Sequence, residues 1–258
     1  MNLELKGRLA LVCGSSQGIG LASAQEIALL GADVTLLARN EQSLTQALLS
    51  LDTSQNQQHS ILLADFSDNQ AVRNIVEKNK AYHILVNNTG GPPGGLAIDA
   101  AEEEFIAAFS NHLINNQILV KAVVPFMKSE GFGRIINIIS TSVNAPIAGL
   151  GVSNTIRGAV NSWAKTLSSE LGEYGITVNN VLPGGTKTVR LSSIIEAKAG
   201  KLGIPVTDIE RAMKDEIPAK RFAEANEVGA AVAFLASPAA SYINGISIAV
   251  DGGRTMAL

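Results

Sequence analysis

The chain has 258 residues and a formal net charge of −3, and hydrophobic residues make up 46% of it. This length suits one large α/β domain, and the lack of a Lys/Arg-rich run argues against nucleic acid or anionic membranes as partners. The single cysteine, Cys13, excludes an internal disulfide framework and a cysteine-built metal site, and we expect no bound metal. Because no apolar run reaches membrane-spanning length, we expect a cytoplasmic protein.

Short apolar runs alternate with helical patterns, in an order typical of a parallel sheet. The runs predict strands over residues 8–13, 33–38, 60–64, 82–87, 133–139, 176–182 and 247–250. Helical patterns cover residues 19–30, 41–49, 70–78, 101–127, 150–171 and 226–236, and the long fourth pattern allows a break. We therefore predict an α/β fold, with residues 1–258 forming a single doubly wound (Rossmann) domain whose parallel sheet carries helices on both faces.

Residues 184–218 interrupt this alternation. Ligands of doubly wound sheets bind at the carboxyl ends of the strands, and an insertion near that edge can cover them. Long connections of this kind in compact domains are usually functional. We therefore predict a substrate lid around residues 189–217 rather than a second domain.

A glycine-rich turn follows the first predicted strand and directly precedes a helix. Glycine lets the backbone approach a pyrophosphate, and the helix start offers free N–H groups and the positive end of its dipole. The spacing G-x-x-x-G-x-G differs from the general G-x-G-x-x-G pattern, and a turn without a ligand is the alternative. The predicted cofactor cradle consists of Gly14, Ser16, Gln17, Gly18, Ile19 and Gly20.

The second predicted strand ends at Ala38 and Arg39, where an acidic residue would bind the adenosine ribose 2′-hydroxyl and favour NAD. Arg39 can instead pair with a 2′-phosphate through a charge-assisted contact. We therefore expect NADP(H) to be favoured over NAD(H). A solvated surface arginine is the alternative.

Further motifs follow in order: Asp65-Phe66, Asn87-Asn88-Thr89-Gly90, Gly133–Ile138, Pro183-Gly184, Arg221-Phe222 and the tail from Ile243 to Gly253. With the glycine loop, they resemble the classical short-chain dehydrogenases/reductases, particularly the 3-oxoacyl-carrier-protein reductase-like group. The resemblance covers nearly the whole chain. It implies cofactor contacts for Asp65, Phe66, Asn88, Gly90, Arg157, Pro183, Gly184, Thr186 and Thr188.

The chemistry of that family normally uses asparagine, serine, tyrosine and lysine. The resemblance puts Ser140 at the serine position, but Ser153 stands where the tyrosine belongs and Arg157 where the lysine belongs. His112 falls at the asparagine position. None of the chain's tyrosines is followed by lysine at the fourth residue, so a shifted register does not restore the motif.

These differences change the expected proton chemistry. Ser153 offers an aliphatic hydroxyl, far less acidic than a phenol, and Arg157 keeps a positive charge without carrying a proton. Water, His112 or Lys187 would then supply the proton, and the reference pKa of histidine favours His112. The alternatives are helix-surface polarity for Ser153 and Arg157, helix packing for His112 and a loop-stabilising role for Ser140.

The sequence thus predicts an NADP(H)-dependent oxidoreductase acting on a small-molecule carbonyl/alcohol pair, with an atypical catalytic site. One alternative is a dinucleotide-binding sensor or scaffold without dehydrogenase activity, and another is non-redox use of the nucleotide. The family resemblance also implies a homo-oligomer. We expect a tetramer that uses the helix at 150–171 and the apolar tail at 246–250.

Overall fold

The computed structural model describes residues 1–256 and contains one parallel sheet of seven strands. The strands are β1 (Leu9–Cys13), β2 (Asp33–Ala38), β3 (Ser60–Leu63), β4 (Ile84–Asn87), β5 (Gly133–Ile138), β6 (Ile176–Pro183) and β7 (Ser247–Val250). Their order across the sheet is β3-β2-β1-β4-β5-β6-β7. Strand order reverses between β1 and β4, which is the point where doubly wound sheets bind ligands.

Nine helices are described within residues 1–256. They are α1 (Gly18–Leu29), α2 (Glu41–Leu48), α3 (Asn69–Lys78), α4 (Glu102–Phe109), α5 (Asn115–Glu130), α6 (Gly151–Leu171), α7 (Val189–Leu202), α8 (Val206–Asp215) and α9 (Ala225–Ala236). Within that part of the chain, none combines the length and apolar composition that a membrane crossing needs.

The sheet is covered on both faces, which explains why its central strands are continuous apolar runs. One face packs against α1, α2 and α9, and the other packs against α3, α5 and α6. Helices α1 and α9 approach so closely that a Cβ atom on Gly229 would lie 2.8 Å from the backbone of Ala22. The predicted doubly wound α/β fold is confirmed.

The fourth predicted helix is interrupted by one π-helical turn, Ser110–Ile114, between α4 and α5. The residues around 184–218 form α7 and α8, which the sequence pattern did not predict. These two helices pack around a small apolar cluster of their own, which contains Ile195, Ala199, Ile209, Ile217 and Phe222. The fourth strand begins at Ile84, two residues later than predicted, because the Tyr82 N–H turns back to the Lys80 carbonyl.

A row of buried amides crosses the three neighbouring strands β4, β5 and β6 and ends at the Ser247 hydroxyl on β7. Asn87 donates to the side-chain oxygen of Asn137, and Asn137 donates to that of Asn180, both at 2.9 Å. Asn180 then donates to Asn161 of α6 at 2.9 Å and to Ser247 at 3.1 Å. These strand residues are directly paired in the sheet register. The row therefore provides partners for most of the polar side-chain atoms in an otherwise apolar layer, while the Oδ1 of Asn87 has no hydrogen-bond partner within residues 1–256.

Candidate functional site

A cavity of about 590 Å³ opens at the carboxyl ends of β1 to β6. Its wall at β1 is the glycine loop, where Gly14 and Gly18 both have a φ of +58°, in the left-handed region that glycine tolerates. Helix α1 starts at Gly18, and no side chain caps its first turn, including that of the N-cap residue Gln17. The first N–H groups of the helix are therefore available to an anion in the cavity.

The loop is held so tightly that two of its positions have no room for a side chain. A Cβ atom on Gly20 would lie 2.2 Å from the carbonyl oxygen of Gly14, and one on Gly14 would lie 2.6 Å from that of Asn88. The Asn88 side chain, at the end of β4, donates to the carbonyls of Cys13 and Gly14 at 3.2 Å each. The result is a rigid backbone cradle that fits a dinucleotide pyrophosphate.

The end of β2 presents a guanidinium group to the cavity. Arg39 is largely exposed, and its Nη1 lies 4.0 Å from a carboxylate oxygen of Asp65. Hydrogen bonds from Ser67, and secondarily the charge of Arg39, lower the pKa of Asp65. The side-chain oxygen of Asn40 caps α2 by accepting from the Ser43 N–H at 2.8 Å. Arg39 is thus the side chain at the end of β2 that remains able to meet an adenosine ribose substituent.

Ser140, Ser153 and Arg157 meet at the other side of the cavity. Ser140 follows β5, and its hydroxyl oxygen accepts a hydrogen bond from the Ser142 N–H at 3.1 Å. Ser153 and Arg157 lie one turn apart on α6, so both point to the same side of the helix. Arg157 is buried, with 8% of its surface exposed, and donates to the Ile138 carbonyl at 3.0 Å.

Arg157 carries its charge without a carboxylate partner. Burial, and then the charge of Arg190, lower its pKa to about 10, so it stays protonated at neutral pH. Arg190, near the start of α7, donates to the Pro92 carbonyl at 2.7 Å. Within residues 1–256, neither guanidinium has a carboxylate within 4.0 Å. This end of the cavity is therefore electropositive.

His112 lies in the π-helical turn, buried behind the cavity wall. Its Nδ1 is hydrogen-bonded to the Thr89 hydroxyl. Burial, and then the charge of Arg157, lower the pKa of His112 to about 3. The near-neutral pKa expected from the sequence is therefore not found, and the imidazole is neutral at physiological pH. The neighbouring Asn111 lines the cavity instead.

Lys187, the other side chain considered as a proton source, is exposed and ion-paired with Glu224. It is not part of the cavity wall. Nearby, Thr186 donates to the Gly184 carbonyl at 3.1 Å. Thr188 donates to the Thr186 carbonyl at 3.2 Å, and its oxygen caps α7. This loop is a fixed wall of the cavity rather than a source of protons.

Most side chains selected from the sequence meet in one cavity. Gly20 and His112 stand behind its wall, and the other selected residues line it, namely Gly14, Ser16, Gln17, Gly18, Ile19, Arg39, Asp65, Phe66, Asn88, Gly90, Ser140, Ser153, Arg157, Pro183, Gly184, Thr186 and Thr188. The sequence analysis missed Asn111 and Arg190. The π turn decides which way Asn111 faces, and Arg190 lies in a helix that was not predicted.

Comparison with known proteins identifies the family. The model of the family described as enoyl-(acyl carrier protein) reductase matches residues 14–255. The chain belongs to the short-chain dehydrogenase/reductase family. Among its relatives is the 3-oxoacyl-(acyl-carrier-protein) reductase FabG of Rickettsia conorii, 32% identical over 254 residues, with 98% of this chain and 99% of the relative covered.

Other members are similar at the same level. The NADPH-dependent reductase BacG of Bacillus subtilis is 31% identical, with 95% of this chain and 97% of the relative covered. A crystal structure of L-sorbose reductase from Gluconobacter frateurii, complexed with NADPH and L-sorbose, covers 100% of both chains with a TM-score of 0.93 and 29% identity. The family of this chain is therefore one of oxidoreductases built on a Rossmann sheet.

Proposed function

We propose that this protein is an NADP(H)-dependent oxidoreductase acting on a carbonyl/alcohol pair, with an altered set of catalytic groups. The observation that carries the proposal is the uncapped start of α1 in a glycine cradle clamped by Asn88. The same cavity continues to Ser140 and Arg157, so a cofactor bound at the cradle would reach the polar end. BacG, described as NADPH-dependent, and the NADPH complex of L-sorbose reductase support the cofactor class.

The preference for the phosphorylated cofactor rests on Arg39. Its guanidinium faces the cavity and is paired only at 4.0 Å with an exposed carboxylate, so a 2′-phosphate can replace that partner. We expect NADPH to bind more tightly than NADH, and Arg39→Ala to remove the difference. Fluorescence titration of both cofactors against both proteins tests this. Equal affinities in the wild type, or an unchanged preference in the variant, would contradict the assignment.

Bound NADPH would supply the hydride that adds to a carbonyl carbon. As the carbonyl oxygen gains negative charge, the hydroxyls of Ser140 and Ser153 are donors of the cavity wall that can stabilise it. Arg157 keeps its proton at neutral pH, and no tyrosine among residues 1–256 lines the cavity. The oxygen then takes its proton from water, because His112 is neutral and Lys187 is turned outward.

Because no general acid among residues 1–256 is positioned in the cavity, we expect the wild-type protein to reduce simple ketones slowly. The double change Ser153→Tyr with Arg157→Lys should raise carbonyl reduction by about 10²-fold, the usual contribution of a positioned general acid. Adding Ser140→Ala should remove most of that gain. Cofactor affinity is measured in each variant, because the introduced lysine can raise turnover merely by improving ribose binding. A double variant that folds and binds NADPH but gains nothing would refute the proposed roles.

A second candidate, a dinucleotide-binding protein without redox turnover, is favoured by one observation. Neither Ser153 nor Arg157 is an acid at neutral pH. Mixing the protein with NADPH and following nicotinamide fluorescence, then absorbance decay with a panel of ketones, separates the two functions. Binding with turnover supports the reductase, and binding without turnover supports the second candidate.

Two further proposals concern the surroundings of the site. We propose that residues 189–217 act as a lid over the substrate, because α7 contributes Val189, Leu191 and Ile194 to the cavity wall. We also propose a homotetramer that uses α6 and the tail at 246–250. A monomeric mass in light scattering at micromolar concentration would contradict the assembly. The cytoplasmic location stays a prediction.

A further inference from the structure

Two guanidinium groups converge on one point of the cavity. A Cβ atom built on Gly91 would lie 3.8 Å from Nη2 of Arg190 and 3.9 Å from Nη2 of Arg157. Arg157 comes from α6 and Arg190 from the first turn of α7, and both line the cavity. The gap between them is framed by the loop that contains Pro92.

Within residues 1–256, no carboxylate lies within 4.0 Å of either guanidinium to compensate its positive charge. Arg157 is buried and has a single hydrogen bond, to the Ile138 carbonyl, while Arg190 donates to the Pro92 carbonyl. A buried charge is costly unless it is paired, and a second like charge nearby adds to that cost. The charge of Arg190 does lower the pKa of Arg157. An anion between the two groups would relieve both penalties.

The phosphates of the cofactor are poor candidates for that anion. The 2′-phosphate is assigned to Arg39 at the end of β2, whereas Arg157 bonds to the end of β5, three strands away in the sheet. At about 4.8 Å per strand this separation is roughly 14 Å. The pyrophosphate is assigned to the start of α1, beside β1. Arg157 therefore lies at the Ser140 end of the cavity, away from Arg39, and Arg190 approaches it there.

We propose that Arg157 and Arg190 form a binding subsite for a carboxylate of the substrate, which makes the substrate an oxo acid or hydroxy acid. Guanidinium forks match the planar geometry of a carboxylate and hold it in a bidentate manner. Apolar side chains of Leu150, Leu191 and Ile194 line the same cavity and suit a hydrocarbon group on the acid. The inference rests on the proposed oxidoreductase function for its substrate class.

The test compares one acid with its neutral derivatives. We would titrate 4-methyl-2-oxopentanoate, its methyl ester and its primary amide into the full-length protein by calorimetry, with and without saturating NADP⁺. We expect the acid to bind about 10-fold to 100-fold more tightly than the ester, the range of one charged hydrogen-bond pair. Arg190→Gln should remove at least about 10-fold of that preference. The matched control is Arg211→Gln, an exposed arginine on α8 that pairs with Asp208.

The outcomes separate this inference from the proposed function. Equal binding of acid and ester, or inorganic phosphate binding as tightly as the acid, would overturn the carboxylate subsite. So would a loss of NADPH affinity in Arg190→Gln, because that result assigns Arg190 to the cofactor. Selective binding of the acid without any ketone turnover would support the carboxylate subsite and would contradict only the proposed reductase activity.

Discussion

Because the charge of Arg157 is buried and unpaired, we expect a substitution that removes this charge to stabilise the ligand-free protein. Its pKa falls to about 10 from an ordinary value of about 12.5, which at about 1.4 kcal/mol per tenfold change is about 3 kcal/mol. At pH 7, below both values, the side chain is charged in both the folded and the unfolded protein, so the whole penalty is present. Arg157→Met keeps an unbranched stem and removes the charged guanidinium, and the space that it leaves opens to the cavity.

The substitution also loses the hydrogen bond from the charged guanidinium to the Ile138 carbonyl, which contributes about 1.5–3 kcal/mol. The expected net increase in the free energy of unfolding, measured with urea, is therefore about 1 kcal/mol, or roughly 2–4 °C in the melting temperature. Both are measured without cofactor and at one protein concentration. The pKa of His112, followed by NMR, should rise in the same variant, because the charge of Arg157 contributes to its lowering.

Arg134 provides the matched control. It is buried, and its pKa is also lowered to about 10, chiefly by burial. However, it donates to the carbonyls of Gly133, Gly175 and Ser237 and lies 4.1 Å from the centre of the Phe132 ring. Arg134→Met should therefore destabilise the protein. If Arg157→Met destabilised it as much as Arg134→Met, the reasoning about an uncompensated charge would be refuted.

Three more outcomes follow from the structure. Gly20→Ala should weaken NADPH binding at least 10-fold, because its Cβ atom would meet the Gly14 carbonyl, whereas Gly158→Ala, with open space around it, should leave the affinity unchanged in the same fluorescence titration. Asn137→Leu leaves one unsatisfied amide group on each neighbour, at about 1–3 kcal/mol for each group, so the free energy of unfolding in urea should fall by about 2–6 kcal/mol. A decrease of less than about 1 kcal/mol would contradict the role given to the buried row. The pKa of His112 is lowered in the folded protein, so the stability that the neutral imidazole provides is complete above about pH 6.5 and is lost as the pH falls towards 3. An NMR titration in which His112 is protonated near neutral pH would contradict this prediction.

The sequence was informative where local pattern and local physics coincide. The buried strands are continuous apolar runs, and the glycines at 14, 18 and 20 are required by backbone geometry, so sheet and cradle were predictable. The exact wall of the catalytic end was not. One π-helical turn determines that Asn111 rather than His112 faces the cavity, and its extra residue leaves no recognisable signal in a helical pattern.

Two other features depend on tertiary structure. Helices α7 and α8 pack around a small apolar cluster that also contains Phe222, beyond the end of α8, so neither helix buries its apolar side chains on its own. The approach of Arg190 to Arg157 depends in turn on where α7 begins. Arg157 and Arg190 lie more than 30 residues apart in the chain, so the sequence alone does not show that their guanidinium groups approach each other. The electropositive end of the cavity was therefore found only in the folded molecule.

The row of amides across β4, β5 and β6 limits which single substitutions this chain can accept. Asn137 and Asn180 each serve one neighbour as an acceptor and another as a donor, and replacing Asn137 leaves both Asn87 and Asn180 without one of their partners. Converting the row into an apolar layer therefore requires several replacements together, because a single replacement leaves a buried polar group without its partner. The positions of the row therefore depend on one another rather than varying independently. Their hydrogen bonds also fix the register of the paired strands, because a shift by one residue would separate the partners.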